Sequence, residues 1–247
     1  MQYTIVFIIG LIVGSFLNVC ICRIPGGLSI TYPPSRCTEC GKRLKWYHMI
    51  PVASFVFLGG RCAYCRERIS PVYPAVELIT AVLYTAAFHR LGAGVLFIKS
   101  AVLFSLLIVI TFIDLREQII PDSLIVFGLA AGIVFTIIDG SHSFKDAVLG
   151  FAIGGGLLLT IVLLSRGGMG GGDVKFMAVI GLFLGWRLTL VTLFISFVTG
   201  GITGILLLLT GKKGRKDPVP FGPFIGISAV AAVLCGQTLI SLYLNLY

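Results

Sequence analysis

Long apolar runs alternate with short polar segments along most of this chain, and the runs predict its architecture. A helix needs about 20 mainly apolar residues to cross a bilayer. The pattern predicts eight such helices, of which the sixth is the shortest: 3–22, 72–91, 95–113, 123–138, 147–165, 173–186, 188–210 and 223–245. The segment 23–71 is the only part large enough to form a subdomain outside the bilayer.

Composition supports a membrane protein over a soluble one. The chain has 247 residues, of which 57% are hydrophobic and only 12% charged, and its mean hydropathy is +1.04. A soluble domain of this length could not bury so much apolar surface. We therefore expect an all-α polytopic membrane protein with about eight transmembrane helices and one loop subdomain outside the bilayer.

The basic residues predict the orientation in the membrane. If the N-terminus lies outside, fifteen of the 19 Lys and Arg residues fall in the inner loops 23–71, 114–122, 166–175 and 211–222. Loops rich in Lys and Arg stay in the cytoplasm, so these four loops are predicted to be cytoplasmic. The net charge of +9 then faces anionic lipid headgroups, and no nucleic-acid partner is expected.

Two Cys-x-x-Cys pairs lie in the loop 23–71, namely Cys37 with Cys40 and Cys62 with Cys65. This spacing is typical of a four-thiolate zinc site, because each pair can hold the metal from one tight turn. A cytoplasmic loop keeps its thiols reduced, so disulfides are the weaker alternative. A redox pair and four unliganded thiols are the others. We expect zinc.

Two aspartates stand where apolar runs end or begin. Asp114 follows the run 95–113, and Asp173 opens the span 173–186. An acid inside a membrane costs about 2.5–3.5 kcal/mol on insertion scales, which makes it a functional candidate. The predicted orientation places both at the cytoplasmic surface, where two carboxylates sharing a proton could hydrolyse a peptide. A lone aspartate at a helix end is more often a cap or a solvated residue.

Gly170, Gly171 and Gly172 directly precede Asp173, and Lys175 follows it. Backbone without side chains allows an extended peptide to approach closely and pair as an added strand. A merely flexible inter-helix loop explains the glycines equally well.

Two further acids have less specific interpretations. Glu77 lies inside the span 72–91, where it could position the loop or a cofactor amine, or pair with a polar group of a neighbouring span. Asp139 falls in an outer loop and is expected to be a solvated turn residue.

Several motifs occur in a fixed order along the chain. They are Gly14-Ser15-Phe16-Leu17-Asn18-Val19, the two cysteine pairs, Ile50-Pro51-Val52-Ala53-Ser54, Tyr73-Pro74 with Val76-Glu77, Phe112-Ile113-Asp114 to Pro121-Asp122, Gly170 to Lys175, and Pro220-Phe221-Gly222-Pro223. Over nearly its whole length the chain thereby resembles the type IV prepilin peptidases, bifunctional leader peptidases and N-methyltransferases of pilus and type II secretion systems. Its Gly-x-Gly-Asp element is also similar to that of presenilin-type intramembrane proteases.

The resemblance implies an aspartic endopeptidase in the inner membrane of a bacterium, with Asp114 and Asp173 as its catalytic pair. It places Gly170–Gly172 and Lys175 in the active-site loop. The implied substrates are prepilins and pseudopilins, whose basic leaders are cut at the cytoplasmic surface. S-adenosylmethionine is implied as the donor for a second activity, methylation of the new N-terminal residue, with the first cytoplasmic loop as its default place.

The predicted domains are a first transmembrane helix at 1–22, a zinc-binding loop and methyltransferase region at 23–71, and a peptidase bundle at 72–247. One alternative is a cation or metal transporter, with Asp114, Asp173 and Glu77 along an ion path and the cysteines as a metal sensor. A structural assembly protein of a secretion apparatus is another. The acids are predicted at one surface and not at mid-membrane, which favours the peptidase.

Overall fold

The computed structural model describes residues 1–139, 144–164, 169–211, 214 and 219–244, which contain eight α-helices and no strand. The chain forms two compact units, unit 1 at Met1–Ala93 and unit 2 at Gly94–Tyr247. Five of the basic residues used to predict the orientation lie outside the described residues: Arg166, Lys212, Lys213, Arg215 and Lys216.

Unit 1 is an antiparallel pair of long helices joined by the cysteine loop. Helix α1 spans Gln2–Arg23, and α3 spans Val72–Leu91. A Cβ added at Gly10 would lie 2.5 Å from the Cα of Ala81, and one added at Gly14 would lie 2.6 Å from the Cα of Glu77. Small residues allow such close helix packing in a membrane. The loop between them carries a 3₁₀ turn, Trp46–Met49, and the short helix α2, Ala53–Phe57.

Unit 2 is a helical bundle whose outer surface is strongly apolar. Its helices are α4 (Val95–Glu117), α5 (Asp122–Asp139), α6 (Phe144–Leu164), α7 (Gly171–Leu209) and α8 (Gly222–Leu244). Phe104, Phe176 and Phe183 are fully buried in its core, whereas Ile137 and Phe194 are more than 70% exposed. Seven helices of the described chain, five of them in unit 2, are long and apolar enough to cross a membrane. This confirms the all-α membrane architecture.

Helix α7 contains two spans, because it reverses direction at Gly185. The backbone there has φ 73° and ψ 171°, a conformation that only glycine adopts readily. Before the break, α7 runs parallel to α5, since Gly128 and Gly132 pack on Val179 and Leu182.

After the break, α7 runs antiparallel to α8, because Leu188 packs on Gly236 and Gly200 packs on Phe221. Helix α8 is itself antiparallel to α4, as Gly222 and Gly226 lie against Asp114 and Thr111. The two halves of α7 therefore point in opposite directions, as the predicted spans 173–186 and 188–210 require. The reversal lies at Gly185, slightly before the predicted boundary.

A buried ion pair joins α4 and α5 at the end of the bundle opposite Asp114. The Nζ of Lys99 lies 2.9 Å from the Oδ2 of Asp139, and the two side chains are only 8% and 4% exposed. Asp139 was expected to be a solvated turn residue, and this prediction is wrong. Helix α5 extends through Asp139, so the carboxylate packs against α4 beside an ammonium group.

We expect Lys99→Met to destabilise the protein by about 3–5 kcal/mol, because it removes the cation from a buried carboxylate. The free energy of unfolding in detergent would measure the loss. The double variant Lys99→Met/Asp139→Leu should recover most of it, since it removes both charges. If Lys99→Met were as stable as the wild type, the ion pair would not be buried in the membrane protein.

Candidate active site and metal centre

Asp114 lies near the C-terminal end of α4 and is buried, with 5% of the residue exposed. The sequence suggested that the helix ends just before it, but α4 continues to Glu117. Gln118 then takes a left-handed conformation with φ 55°, and its N–H donates to the carbonyl of Asp114. This extra turn carries the Asp114 side chain into the bundle.

Asp173 lies in the first turn of α7 and is 8% exposed. Its backbone N–H donates to the carbonyl of Gly170 at 3.2 Å. The carboxylates of Asp114 and Asp173 are close enough for their charges to interact. Packing of α4 and α8 against α7 thus brings together two buried acids 59 positions apart.

The glycines before Asp173 leave room beside its carboxylate. A Cβ at Gly170 would lie 3.3 Å from the Oδ2 of Asp173, and one at Gly172 would lie 3.0 Å from the side chain of Ile120. Gly171 faces open space within the described structure. The loop is therefore tightly packed on one side and accessible at Gly171.

Lys175 binds Asp122 at the start of α5. Its Nζ lies 2.7 Å from the Oδ1 of Asp122, and both side chains are more than half exposed. An exposed pair of this kind contributes about 0–1 kcal/mol to stability. The ammonium group therefore ties α7 to α5 beside the glycine loop.

Gly222, the first residue of α8, is a site residue to which the sequence assigned no role. Its N–H donates to the Oδ2 of Asp114 at 2.9 Å, and the bond is buried. The first N–H groups of a helix have no partner within the helix, so this one is available for a carboxylate. A Cβ at position 222 would lie 2.7 Å from the same oxygen, which leaves space only for glycine.

For the peptide hydrolysis that the resemblance implies, we expect Gly222→Ala to reduce kcat by about 10²-fold, because the added Cβ would push the Asp114 carboxylate out of position. KM should change little. Steady-state kinetics on a substrate peptide of the family that the chain resembles would separate the two constants. Gly201→Ala is the matched control, since its Cβ meets open space in the described structure. Equal activity of both variants would contradict the positioning role of Gly222.

The four loop cysteines form one cluster. The sulfur atoms of Cys37, Cys40, Cys62 and Cys65 all lie within 4.8 Å of one another, and those of Cys37 and Cys65 are 3.8 Å apart. Tetrahedral coordination with metal–sulfur bonds of about 2.3 Å separates ligands by about 3.8 Å. The cluster can therefore hold one metal ion.

Two equivalent turns build this cluster. In the first, the N–H of Cys37 donates to the carbonyl of Lys42; in the second, the N–H of Cys62 donates to that of Glu67. Each turn is closed by a short antiparallel bridge, Arg36 with Arg43 and Arg61 with Arg68. Backbone N–H groups of Cys65 and Tyr64 lower the pKa of Cys62 to about 6, which favours the thiolate that metals bind.

Glu77 is buried in unit 1 and bound to the loop. Its Oε2 accepts the N–H of Val52 at 2.7 Å, and 8% of the residue is exposed. Of the roles considered for Glu77, the structure therefore supports contact with the loop. Pairing with Val52 was not predictable, because no sequence pattern places a loop N–H opposite this helix position.

Comparison with known proteins identifies related sequences along nearly the whole chain. The family described as "Bacterial Peptidase A24 N-terminal domain" matches residues 8–91, and the "Type IV leader peptidase family" matches residues 101–205. No solved structure matches the chain.

Three relatives named prepilin leader peptidase/N-methyltransferase are similar over much of their length. The protein of Bacillus subtilis (strain 168) is 38% identical over 98% of both chains. That of Myxococcus xanthus (strain DK1622) is 41% identical over 85% of this chain and 64% of its own length. That of Aeromonas hydrophila is 33% identical over 99% of this chain and 94% of its own. With this agreement across both units, the chain belongs to the type IV leader peptidase family.

Proposed function

We propose that this protein cleaves the leader peptide of type IV prepilins or type II secretion pseudopilins, and then methylates the new N-terminal residue. The observation that carries the peptidase is the pair of buried, interacting carboxylates, Asp114 and Asp173, at one end of unit 2. The names of the relatives, prepilin leader peptidase/N-methyltransferase, support the combination of this activity with N-methylation.

The carboxylate pair supplies acid and base for peptide hydrolysis. Like charges at close range do not both ionise, so Asp114 and Asp173 share one proton. The ionised acid takes a proton from the attacking water, while the protonated acid polarises the scissile carbonyl. The Gly222 N–H holds Oδ2 of Asp114 in place, which leaves the other oxygen free to face the water.

The glycine loop is where we place the substrate. An extended backbone can approach Asp173 along the loop Gly170–Gly172 at Gly171, because Gly171 faces open space in the described structure. Lys175 contacts Asp122 and so links the first turn of α7 to the start of α5 beside this loop.

The reacting end of the bundle faces the cytoplasm in our proposal. Asp114, Asp173 and Gly222 share that end, whereas Lys99 and Asp139 mark the other. The excess of Lys and Arg in the predicted inner loops supports this orientation. A prepilin with a basic leader would present its cleavage site at the same surface of the bacterial inner membrane.

The cysteine cluster binds zinc in our proposal. Four thiolate ligands in a reduced compartment suit Zn²⁺, and the sulfur separations fit tetrahedral geometry. We place the zinc-binding methyltransferase region in unit 1, which comprises the predicted helix 1–22, the loop 23–71 and α3, and the peptidase bundle in unit 2. A transporter is not favoured, because the relatives are peptidases.

Mass spectrometry of a co-expressed prepilin tests both activities at once. The N-terminal peptide should lose its leader and gain one methyl group when the protein is present. An intact leader would contradict the peptidase proposal. A cleaved but unmethylated N-terminus would contradict methylation alone.

A further inference from the structure

Unit 1 contains a cavity of about 510 Å³ that the peptidase mechanism does not use. Ligand sites typically enclose about 300–1,000 Å³. Helices α1 and α3 form the floor of the cavity, and the cysteine loop forms its walls. Cys37 and Cys62 belong to those walls, so a metal in the cluster would fix the shape of the cavity.

The floor is polar, although it is built from two membrane helices. Ser15, Asn18, Tyr73 and Glu77 all line it. Asn18 is held in place by donating from Nδ2 to the carbonyl of Tyr73 at 3.0 Å. The Glu77 carboxylate receives the N–H of Val52 and forms no ion pair in the described structure, although Arg23, Arg36 and Arg68 line the cavity together with Glu39 and Glu67. Burial of a carboxylate without an ion-pair partner is costly. A ligand with positive charge would offset that cost.

Val52, which Glu77 holds, is strained. Its φ is 59° and its ψ is −49°, and the N–H of Ala53 donates across it to the carbonyl of Pro51. A β-branched residue with positive φ is rare, and such strain concentrates at functional sites. The bond from Val52 to Glu77 therefore fixes the Ile50–Ser54 turn beside the cavity, where Ser54 and Phe55 contribute to the wall.

The walls offer apolar and aromatic surface above this floor. Phe55, Leu58 and Ile69 are apolar lining residues, and His48 lines the cavity with a buried Nδ1 that has no hydrogen-bond partner in the described structure. A flat aromatic ring system with polar edges suits such a wall, since it can stack on one side and hydrogen-bond at its rim.

We propose that this cavity binds S-adenosylmethionine and that the Glu77 carboxylate balances the net positive charge of that ligand. The inference rests on the proposed N-methylation and locates its donor. The adenosyl group fits the aromatic wall, and the charged amino acid and sulfonium part fits the polar floor. On transfer, the sulfur–methyl bond breaks with its electron pair left on sulfur, the substrate amine nitrogen bonds the methyl group, and one nitrogen-bound proton passes to solvent.

Two ligands that differ in charge separate an electrostatic role of Glu77 from a structural one. S-adenosylmethionine carries a net positive charge, whereas S-adenosylhomocysteine has a neutral sulfur. Equilibrium dialysis of both against the purified full-length protein in detergent would give their affinities. Glu77→Gln keeps an oxygen for the Val52 N–H, so it should weaken S-adenosylmethionine binding at least about thirtyfold. Binding of S-adenosylhomocysteine should change less than about twofold.

Asp146→Asn is the matched control for Glu77→Gln, because it makes the same chemical change at the start of α6 in unit 2. Ser54→Trp tests the location independently of charge, since it fills the cavity and should weaken both ligands. If each variant still cleaves prepilin, the helical bundle of unit 2 is still folded.

Equal losses for both ligands in Glu77→Gln, or no loss, would overturn the charge-balancing role of Glu77. Unchanged affinities in Ser54→Trp would overturn the location. If the wild type cleaves and methylates prepilin but the variants bind both ligands as tightly as the wild type, this inference is contradicted and the proposed function is not. A wild type that fails to methylate contradicts the proposed function on which it rests.

Discussion

Asp114→Asn and Asp173→Asn should each reduce prepilin cleavage by about 10³- to 10⁴-fold or more. Asparagine keeps the size of the side chain and can still accept the Gly222 N–H, but it cannot exchange the proton that peptide hydrolysis requires. Because the two carboxylates act as one unit, the double variant should be little worse than either single variant. Quantitative mass spectrometry of the prepilin N-terminus would measure the remaining rate.

The same variants should leave the methyltransferase intact. The acids lie in unit 2, whereas the proposed donor cavity lies wholly in unit 1. A synthetic peptide with the mature pilin N-terminus should therefore still be methylated by Asp114→Asn and Asp173→Asn protein. Asp146→Asn again serves as control and should retain both activities. Cleavage at the wild-type rate in either aspartate variant would reject the catalytic assignment.

The helices could be predicted from sequence because apolar runs of membrane length leave few alternatives. Six predicted spans begin and end within a few residues of the termini of one helix each, and the other two both lie in α7, which reverses direction at Gly185. The largest misplacement at the site concerns Asp114. A charged residue at the end of an apolar run suggested the helix terminus, yet the terminus is set by the left-handed Gln118 four residues later.

The candidate site could be predicted only in part, because its acids are visible in sequence and their partners are not. Asp114 and Asp173 stand out because an acid beside an apolar run is energetically costly in a membrane, and the cysteine pairs stand out by their spacing. Gly222 contacts Asp114 only because α8 packs against α4, 108 positions away along the chain. Lys99 and Asp139, or Glu77 and Val52, likewise meet through tertiary packing. No local pattern encodes these pairings.

The second large effect is expected at the cysteine cluster, where Cys62→Ser should release the metal. Structural zinc sites in small domains contribute about 10–16 kcal/mol of binding free energy at neutral pH, and replacing one thiolate forfeits much of it. Cys62 is the most buried of the four, at 4% exposure, so its loss also disturbs the packing of the second turn. The wild type should contain about one zinc per chain by elemental analysis, and the variant much less.

Release of the metal should also open the loop that walls the proposed cavity. Between α1 and α3, the described loop contains only one 3₁₀ turn, the short helix α2 and two single-residue bridges. Besides the metal, hydrogen bonds to the flanking helices hold it, such as those of Glu77 with Val52 and of Arg23 with Ser29. Cys62→Ser should therefore become sensitive to protease within this loop and lose methyl transfer. Cys235→Ser, an exposed thiol on α8, is the matched control and should keep its metal. If Cys62→Ser retained a full complement of zinc and an uncut loop, the four sulfur atoms would be neighbours without being ligands.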